Sequence, residues 1–315
     1  MTVAPYIRKT AFVVLNPVAG IVNPALLKRN IENRFYDNGW QTRFHVTEAD
    51  EDLAAIVKQE VNVGIDLMVA AGGDGTIAAV AAGMVHSPVP LGIIPTGTWN
   101  AIARNLMLPF SIQRAVNLMT GRHNIKRLDL MSVGDTIHAM NMGVGFSSSM
   151  IEKTARADKR KLGNLAYFSQ GFKQVFGLQQ RRYTIEADGR RYRGRAVEIF
   201  VANYGVVGLN VLESSLDIKP DDGKVDVLIM RARTMFDLPG LFWQIFIQRK
   251  RRTPKYRQLS AVETLLIRTN PPAPVQADGE LIGQTPVMVK VLPRSVKVIV
   301  PVEKTRVIPI QSRRK

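Results

Sequence analysis

The chain has 315 residues, 46% hydrophobic, 22% charged and 7% aromatic, which excludes a disordered, collagenous or low-complexity protein. Cysteine is absent, and with it disulfide scaffolds, thiolate zinc sites and cysteine nucleophiles. Lys and Arg number 43 against 26 Asp and Glu, so a net charge of +17 calls for an anionic partner: nucleic acid, an acidic membrane or phosphorylated ligands.

The length exceeds the usual size of one hydrophobic core, so two domains are expected. Charge divides them: residues 1–128 are nearly balanced, and the positive excess sits in residues 129–315. The start, MTVAPYIRKT, lacks the apolar run of a secretory signal. The longest stretch without Asp, Glu, Lys or Arg, Gly75 to Ala103, is broken by Gly83, Pro88, Pro90, Gly92, Pro95 and Gly97 into pieces too short to cross a bilayer.

In chain order, AFVVLN from Ala11 reads as a buried strand. Pro24 to Asp37 reads as a helix with Leu27, Ile31 and Phe35 on one face, closed by Asn38-Gly39. WQTRFHV is a second strand, Asp50 to Val61 a second helix, and DLMVAA from Asp66 a third strand entering Gly72-Gly73. A helix from Gly75, a strand PLGII from Pro90 and a helix from about Thr98 follow. Alternation with short connections argues a parallel sheet covered on both faces. After Lys126 the rhythm changes. Hairpins are expected at Gly134-Asp135 and Asp188-Gly189, and KVDVLIMRA, VETLLIRT, VQADGELIG and PVMVKVLPRSVKVIVP supply further strands. Two stretches, Ser149 to Gln180 and Met235 to Arg257, read as helical. The expected fold is therefore α/β plus β: a doubly wound nucleotide-binding domain over 1–128, then a mainly antiparallel β-sandwich domain over 129–302, with a cleft between them.

The strongest local signal is AAGGDGTIAAV, a buried strand, a Gly72-Gly73-Asp74-Gly75-Thr76 turn and a small-residue helix. Glycines let backbone N–H groups approach a ligand, and a helix N-terminus favours phosphate. The plainer alternative is a tight strand-to-helix turn with Asp74 as N-cap. Two more polar turns, Asn16-Pro17-Val18-Ala19-Gly20 and Pro95-Thr96-Gly97-Thr98-Trp99-Asn100, follow the first and fourth strands, at the edge where open α/β sheets bind ligands.

NPVAG, AAGGDGTIAAV and PTGTWNAIARNL, in this order, resemble the catalytic domain of the diacylglycerol kinase family of soluble lipid kinases. The resemblance continues into KPDDGKVDV from Lys219 and QADGELIG from Gln276. It implies a nucleotide domain followed by a β-rich domain, with the last strand returning to the first domain and residues 303–315 completing it. It implies ATP with its phosphates on Gly72, Gly73, Asp74, Gly75 and Thr76, and with Asn16, Thr47, Thr98 and Asn100 around them. It implies Mg²⁺ on the Asp222 carboxylate and the main-chain oxygens of Lys219 and Lys224, and a proton acceptor at Glu280 with Asp278 beside it. Phosphoryl transfer needs these parts: a phosphate cradle, a hard cation and a carboxylate near the attacking hydroxyl. Asp278 and Glu280, two apart, share a face if the segment is extended, while Gly279 equally allows a turn. Asp221 and Asp226 compete with Asp222 for the metal role. Two positions depart from the family pattern: Ile21-Val22 follows Gly20 where many members have a basic residue, and Ala101 stands where many have Asp.

The basic excess has two clusters. Residues 249–257 follow the apolar run with Phe242, Trp243 and Phe246, as an interfacial helix would be built, and residues 153–161 carry Lys153, Arg156, Lys159, Arg160 and Lys161. The alternative is a core-packed helix followed by a solvated basic loop. The reading is an ATP- and Mg²⁺-dependent lipid kinase, cytoplasmic and peripheral at the inner face of the membrane, acting on a lipid substrate and not on nucleic acid. Its rivals are an NAD or other soluble-metabolite kinase sharing the GGDGT turn, and a non-catalytic basic membrane- or nucleic-acid-binding protein. No GxxxxGK[ST] loop, GxSxG elbow or HExxH motif is present, and His45, His86, His123 and His138 lack ligand spacing.

Overall fold

The computed structural model of the protein describes residues 9–19, 23–158, 180–205, 217–232, 237, 240 and 252–302. The parallel strands β1 (Thr10–Leu15), β2 (Gln41–Val46), β3 (Leu67–Gly72) and β4 (Leu91–Pro95) lie in the order β2-β1-β3-β4. Helices α1 (Pro24–Asp37), α2 (Leu53–Val63), α3 (Asp74–Gly83), α4 (Ala101–Asn105) and α5 (Ile112–Thr120) cover them. The central strands are apolar throughout because each face is buried. Ala11, Val13 and Leu15 pack with Leu27, Ile31, Phe35, Val116 and Met119, while Phe12 and Val14 pack with Val57, Ile77, Val80 and Ile102. Helix α1 has the expected bounds: Asn23 Oδ1 accepts from the Ala25 N–H at 2.9 Å, Pro24 opens the first turn, and Gly39 takes φ +79° just beyond the end. The helix expected from Thr98 is instead two. Met107, at φ 53°, turns the chain after α4, and α5 begins beyond Pro109, which cannot continue an α-helical hydrogen-bond ladder.

The second half is built of β5 (Asn124–Val133), β6 (Thr136–His138), β7 (Asn141–Gly145), α6 (Phe146–Asp158), β8 (Arg181–Ala187), β9 (Arg190–Ala196), β10 (Glu198–Ala202), β11 (Val225–Met230), β12 (Arg252–Thr253), β13 (Tyr256–Ala261), β14 (Thr264–Asn270), β15 (Pro274–Ala277), β16 (Glu280–Gln284) and β17 (Val287–Val300). β17 joins the two halves. It pairs antiparallel with β5 and β14, and then parallel with β4 at Val298↔Leu91. One ten-stranded sheet thus continues from the parallel strands into β17, β5, β6, β14, β8 and β9, and the 128/129 division falls inside β5. A seven-stranded antiparallel sheet, β12-β13-β11-β10-β7-β15-β16, packs against it. Met131, Ile185, Ile267 and Val289 of the first sheet meet Val144, Val201, Val227 and Val275 of the second.

The fold is thus the expected one, an α/β half with a parallel sheet followed by an antiparallel β-sandwich. The expected return of the last strand is made by β17; residues 303–315 lie outside the described residues. A second expectation is corrected. The stretch Met235 to Arg257 does not end as a helix, because Arg252–Thr253 and Tyr256–Ala261 pair as a hairpin turning at Pro254-Lys255. Proline there sets the turn backbone and needs no N–H for a ladder.

Candidate active site

Backbone and side-chain hydrogen bonds tie the three glycine-bearing turns into one unit at the carboxyl ends of the parallel strands. Asn16 Nδ2 donates to Thr76 Oγ1 at 2.9 Å, and the Asn16 N–H donates to Ala71 O at 3.0 Å. The Thr96 N–H donates to Gly72 O at 3.0 Å. A Cβ on Gly97 would lie 2.5 Å from Gly73 Cα, so the second and third turns touch backbone to backbone and only glycine fits. Asn100, left-handed at φ 49°, closes the third turn on itself: its Oδ1 accepts from the Gly97 N–H at 3.0 Å and its Nδ2 donates to Gly97 O at 2.6 Å. Thr47 lies beside this unit, its N–H donating to Leu15 O at 2.9 Å, and Thr98 is exposed before α4.

Asp74 does not cap its own helix. Gly73 is the N-cap of α3, and the Asp74 carboxylate reaches across to accept from the Ala101 and Ile102 N–H groups of α4, each at 2.9 Å. This contact uses the main chain at Ala101, so any residue other than proline would supply it. Two observations fit the unit to a phosphate-bearing ligand. Nothing lies within 4 Å of a Cβ built on Gly75, so that side of the turn is open. Thr96 Oγ1 is buried with no hydrogen-bond partner, an orphaned polar atom at the turn's edge.

Asp278 and Glu280 lie on a hairpin, not on one extended strand. Ala277 pairs with Glu280, and Asp278 and Gly279 form the tip at φ 48° and 94°. The two carboxylates part company there. Asp278 points inward and accepts from the N–H groups of Ala139 (2.9 Å), Met140 (3.0 Å) and Asn141 (2.9 Å), while Glu280 is exposed. Gln276, buried, accepts from the Gly279 N–H through Oε1 at 2.9 Å and so holds the tip from the other side.

The Pro220-Asp221-Asp222-Gly223 turn is held by a residue with no motif around it. Asp129, fully buried in β5, accepts from the Gly223 N–H and from the Arg294 N–H at the bulge of β17, both at 2.7 Å. Burial pushes its carboxyl up despite those two donors, and the nearby Asp222 and Asp221 push in the same direction. Of the competing carboxylates, Asp226 accepts from Gln258 Nε2 and Ser260 Oγ, and Asp221 lies 3.2 Å from Lys126 Nζ. Asp222 lies 3.2 Å from Lys224 Nζ on the same turn, and Lys219 Nζ lies 3.1 Å from Asp217. A carboxylate and main-chain carbonyls on one tight turn form a hard oxygen set that fits Mg²⁺. Among the described residues no group of three or more His, Asp or Glu side chains is placed to hold a metal.

Tyr204 brings these parts together. Its phenol is buried, and burial first, then the carboxylates of Asp278, Asp129, Asp74 and Asp221, push it far above the usual tyrosine range. The ring packs in the same core cluster as Ile77 behind the GGDGT turn, Leu130 beside Asp129, and Ala139, whose N–H donates to Asp278. Beside it, Asn203 Nδ2 donates to Asp129 O (2.6 Å) and Ala139 O (2.9 Å), joining the supports of two of those turns.

Asp129, Asn203, Tyr204 and Gln276 were not legible as site residues. A lone carboxylate inside the apolar LDLM run was the one signal for Asp129, and the same signal marks Glu198 in AVEIFVAN. Glu198 accepts from the Ser147 N–H at 3.0 Å and Ser147 Oγ at 2.5 Å at the start of α6, and burial pushes it up to about 7. The residues around Gly20-Ile21-Val22, the run with Phe242, Trp243, Phe246 and residues 249–251, and Lys159 to Lys161 lie outside the described residues, as do the side chains of Lys153 and Arg156.

Comparison with known proteins agrees with this arrangement. The model of the diacylglycerol kinase catalytic domain matches residues 10–133, and that of the YegS C-terminal NAD kinase beta sandwich-like domain matches residues 141–300. An uncharacterized protein of Synechocystis sp. is 30% identical over 308 residues, which cover 94% of this chain and 71% of that protein. A diacylglycerol kinase of Staphylococcus aureus is 26% identical over 303 residues, 93% of each chain. A crystal structure of a diacylglycerol kinase from Bacillus anthracis has the same fold, at a TM-score of 0.68 and 19% identity over 93% of this chain and 97% of that one. With the glycine turns inside one matched region and the Asp-Gly-Glu hairpin inside the other, the chain belongs to the diacylglycerol kinase family.

Proposed function

We propose that this protein is a lipid kinase that transfers the γ-phosphoryl group of ATP to the hydroxyl of a diacylglycerol-like or related lipid. The observation that carries this reading is the packing of Ile77, one residue past the phosphate-side turn, in one core cluster with Tyr204 and Ala139, whose N–H donates to Asp278. That cluster ties the backbone behind the phosphate-side turn to the backbone that holds the acidic hairpin.

When bound, ATP supplies the phosphoryl group and Mg²⁺ compensates its charge. The chain supplies the rest. The N–H groups of the Gly72–Thr76 turn would bind the phosphates, with Asn16, Thr47, Thr98 and Asn100 around them. The Asp222 carboxylate and the main-chain oxygens of Lys219 and Lys224 would hold the cation. Glu280 accepts the proton of the attacking hydroxyl, and Asp278 holds the tip that carries it. Assigning the base to Glu280 rests on accessibility, since the Asp278 carboxylate is turned inward onto three backbone donors with His138 Nδ1 3.6 Å away, whereas Glu280 is exposed. The basic second half is suited to an anionic membrane surface, where such a lipid resides.

The test is labelled ATP with a dispersed total lipid extract in one arm and NAD in another. Label in the lipid phase, lost in Glu280→Gln, is expected. The β-sandwich match names NAD kinases, so label on NAD would favour the soluble-metabolite reading. Tight membrane or nucleic-acid binding with no turnover in either arm would favour a non-catalytic basic protein.

A further inference from the structure

The segment between the third glycine turn and α5 exposes three large apolar side chains: Trp99 at 62%, Met107 at 74% and Phe110 at 47%. The backbones of Trp99 and Met107 and the ring of Phe110 all contact Arg104. The Arg104 Nε–H donates to Trp99 O at 2.9 Å, its guanidinium carbon lies 5.0 Å from the Phe110 ring centroid, and the Met107 N–H donates to Arg104 O at 3.0 Å. The exposure is built in. Leu106 and Leu108 on either side are buried at 4% each, so the chain anchors both neighbours and turns Met107 outward. It does so with left-handed backbone at φ 53°, which disfavours methionine relative to Gly or Asn. An outward thioether held at a conformational cost points to a surface that meets something.

The charge of the segment that carries these side chains selects the partner. From Gly75 to Leu128 the sequence contains no Asp or Glu, and Arg104, Arg114 and Arg122 fall within that run; Arg114 is exposed. A second copy of the chain would oppose these arginines to their own equivalents, which like-charge repulsion disfavours. Trp beside cations is instead the chemistry of an anionic bilayer interface.

We propose that Trp99, Met107 and Phe110 enter the headgroup boundary of an anionic bilayer, with Arg104 and Arg114 on its phosphates, and that this rim seats the enzyme on its membrane. This segment is separate in sequence from the basic clusters 153–161 and 249–257, and it extends the lipid-directed reading above. It also bears on access to lipid. Asp74 binds the N–H groups of Ala101 and Ile102, so the rim is fastened to the phosphate-side turn. A protein seated on the rim presents its glycine turns to the lipid headgroups.

The test is co-sedimentation of the full chain with vesicles of phosphatidylcholine alone and of phosphatidylcholine mixed with phosphatidylglycerol. Binding to the mixed vesicles that weakens with salt is expected, falling about tenfold or more in Met107→Ser/Phe110→Ser and about fivefold in Arg114→Gln. Lipids carrying a quencher in the acyl chain should quench a component of tryptophan emission that is missing in Trp99→Phe, a variant that keeps the apolar ring. Circular dichroism melts of each variant check folding, and phosphorylation of a detergent-dispersed lipid by Met107→Ser/Phe110→Ser separates loss of seating from loss of the kinase reaction. Undiminished vesicle binding by that folded double variant, or Trp99 emission that responds to ATP and not to quencher lipids, would overturn the proposal. Absence of any phosphorylated product alongside intact rim-dependent vesicle binding would count against the kinase reading and leave the seating surface standing.

Discussion

Asp188 and Asp278 make the same structure in two different hairpins. Each stands at the first left-handed position of an Asp-Gly tip, at φ 47° and 48°, and each carboxylate accepts three consecutive backbone N–H groups from a neighbouring segment. Asp188 takes those of Val262, Glu263 and Thr264, and Asp278 those of Ala139, Met140 and Asn141. The recurrence identifies the contact as a way of fastening a hairpin, independent of chemistry. What differs is the residue after the glycine, Arg190 in one and Glu280 in the other.

This comparison predicts a separation of stability from activity. Asp188→Ala should lower stability by only roughly 0.5–1.5 kcal/mol, because Val262, Glu263 and Thr264 are exposed and water can take over their N–H groups, with phosphoryl transfer per folded molecule retained. Asp278→Ala should lower both. Glu280→Gln should leave the melting temperature within a degree or two while transfer falls by about 100-fold or more. Paired melting curves and initial rates check this, and a Glu280→Gln enzyme of normal rate would remove that residue from the chemistry.

The glycines of the second and third turns differ in what surrounds them, and substitutions should differ accordingly. Gly97→Ala would drive a methyl group to 2.5 Å from Gly73 Cα, so the turns must separate, and a loss of roughly 1–3 kcal/mol is expected together with loss of nucleotide binding. Gly75→Ala meets no protein atom within 4 Å and should fold normally. If phosphates occupy that open side, Gly75→Ala will weaken ATP binding in calorimetry without moving the melting temperature.

Asp129 supports the DDG turn from below. An amide at this position has one oxygen for two N–H groups, so Asp129→Asn should destabilise the fold by about 1–3 kcal/mol and loosen the turn that carries Asp222. The specific expectation is a rise in the Mg²⁺ concentration required for half-maximal transfer, larger than the change in lipid KM. Equal changes in both would mean that the variant acts through general instability.

Glu198 makes stability depend on pH in a direction opposite to that of most carboxylates. Its folded value is raised from 4.5 to about 7, chiefly by burial, against the opposing donors of Ser147 and Phe146 and the charge of Arg181. The folded state therefore binds more protons than the unfolded state between those values. This contribution to stability is complete below about 4.5 and is lost as pH rises through about 7, by at most roughly 3 kcal/mol. Melting temperatures from pH 5 to pH 8, an interval chosen to bracket roughly that transition, should fall more steeply for the native protein than for Glu198→Gln. Parallel curves would exclude Glu198 as the titrating group.

The sequence alone determined the fold class and the location of the five motif segments, because both are local. Apolar runs that lack a polar alternation mark a sheet buried on two sides, and Asn-Gly, Asp-Gly and Gly-Gly pairs mark turns whatever lies around them. It could not separate Asp278 from Glu280, since only the pairing of Ala277 with Glu280 turns one carboxylate onto three backbone donors and leaves the other in solvent. Nor could it show that Asp74 serves α4 or that Asp129 bears the DDG turn. Those relations join residues up to 165 positions apart, as in Asp129 and Arg294, and no local preference encodes which distant N–H a buried carboxylate will find. They follow from the passage of β17 between the two halves, which only the packed chain decides.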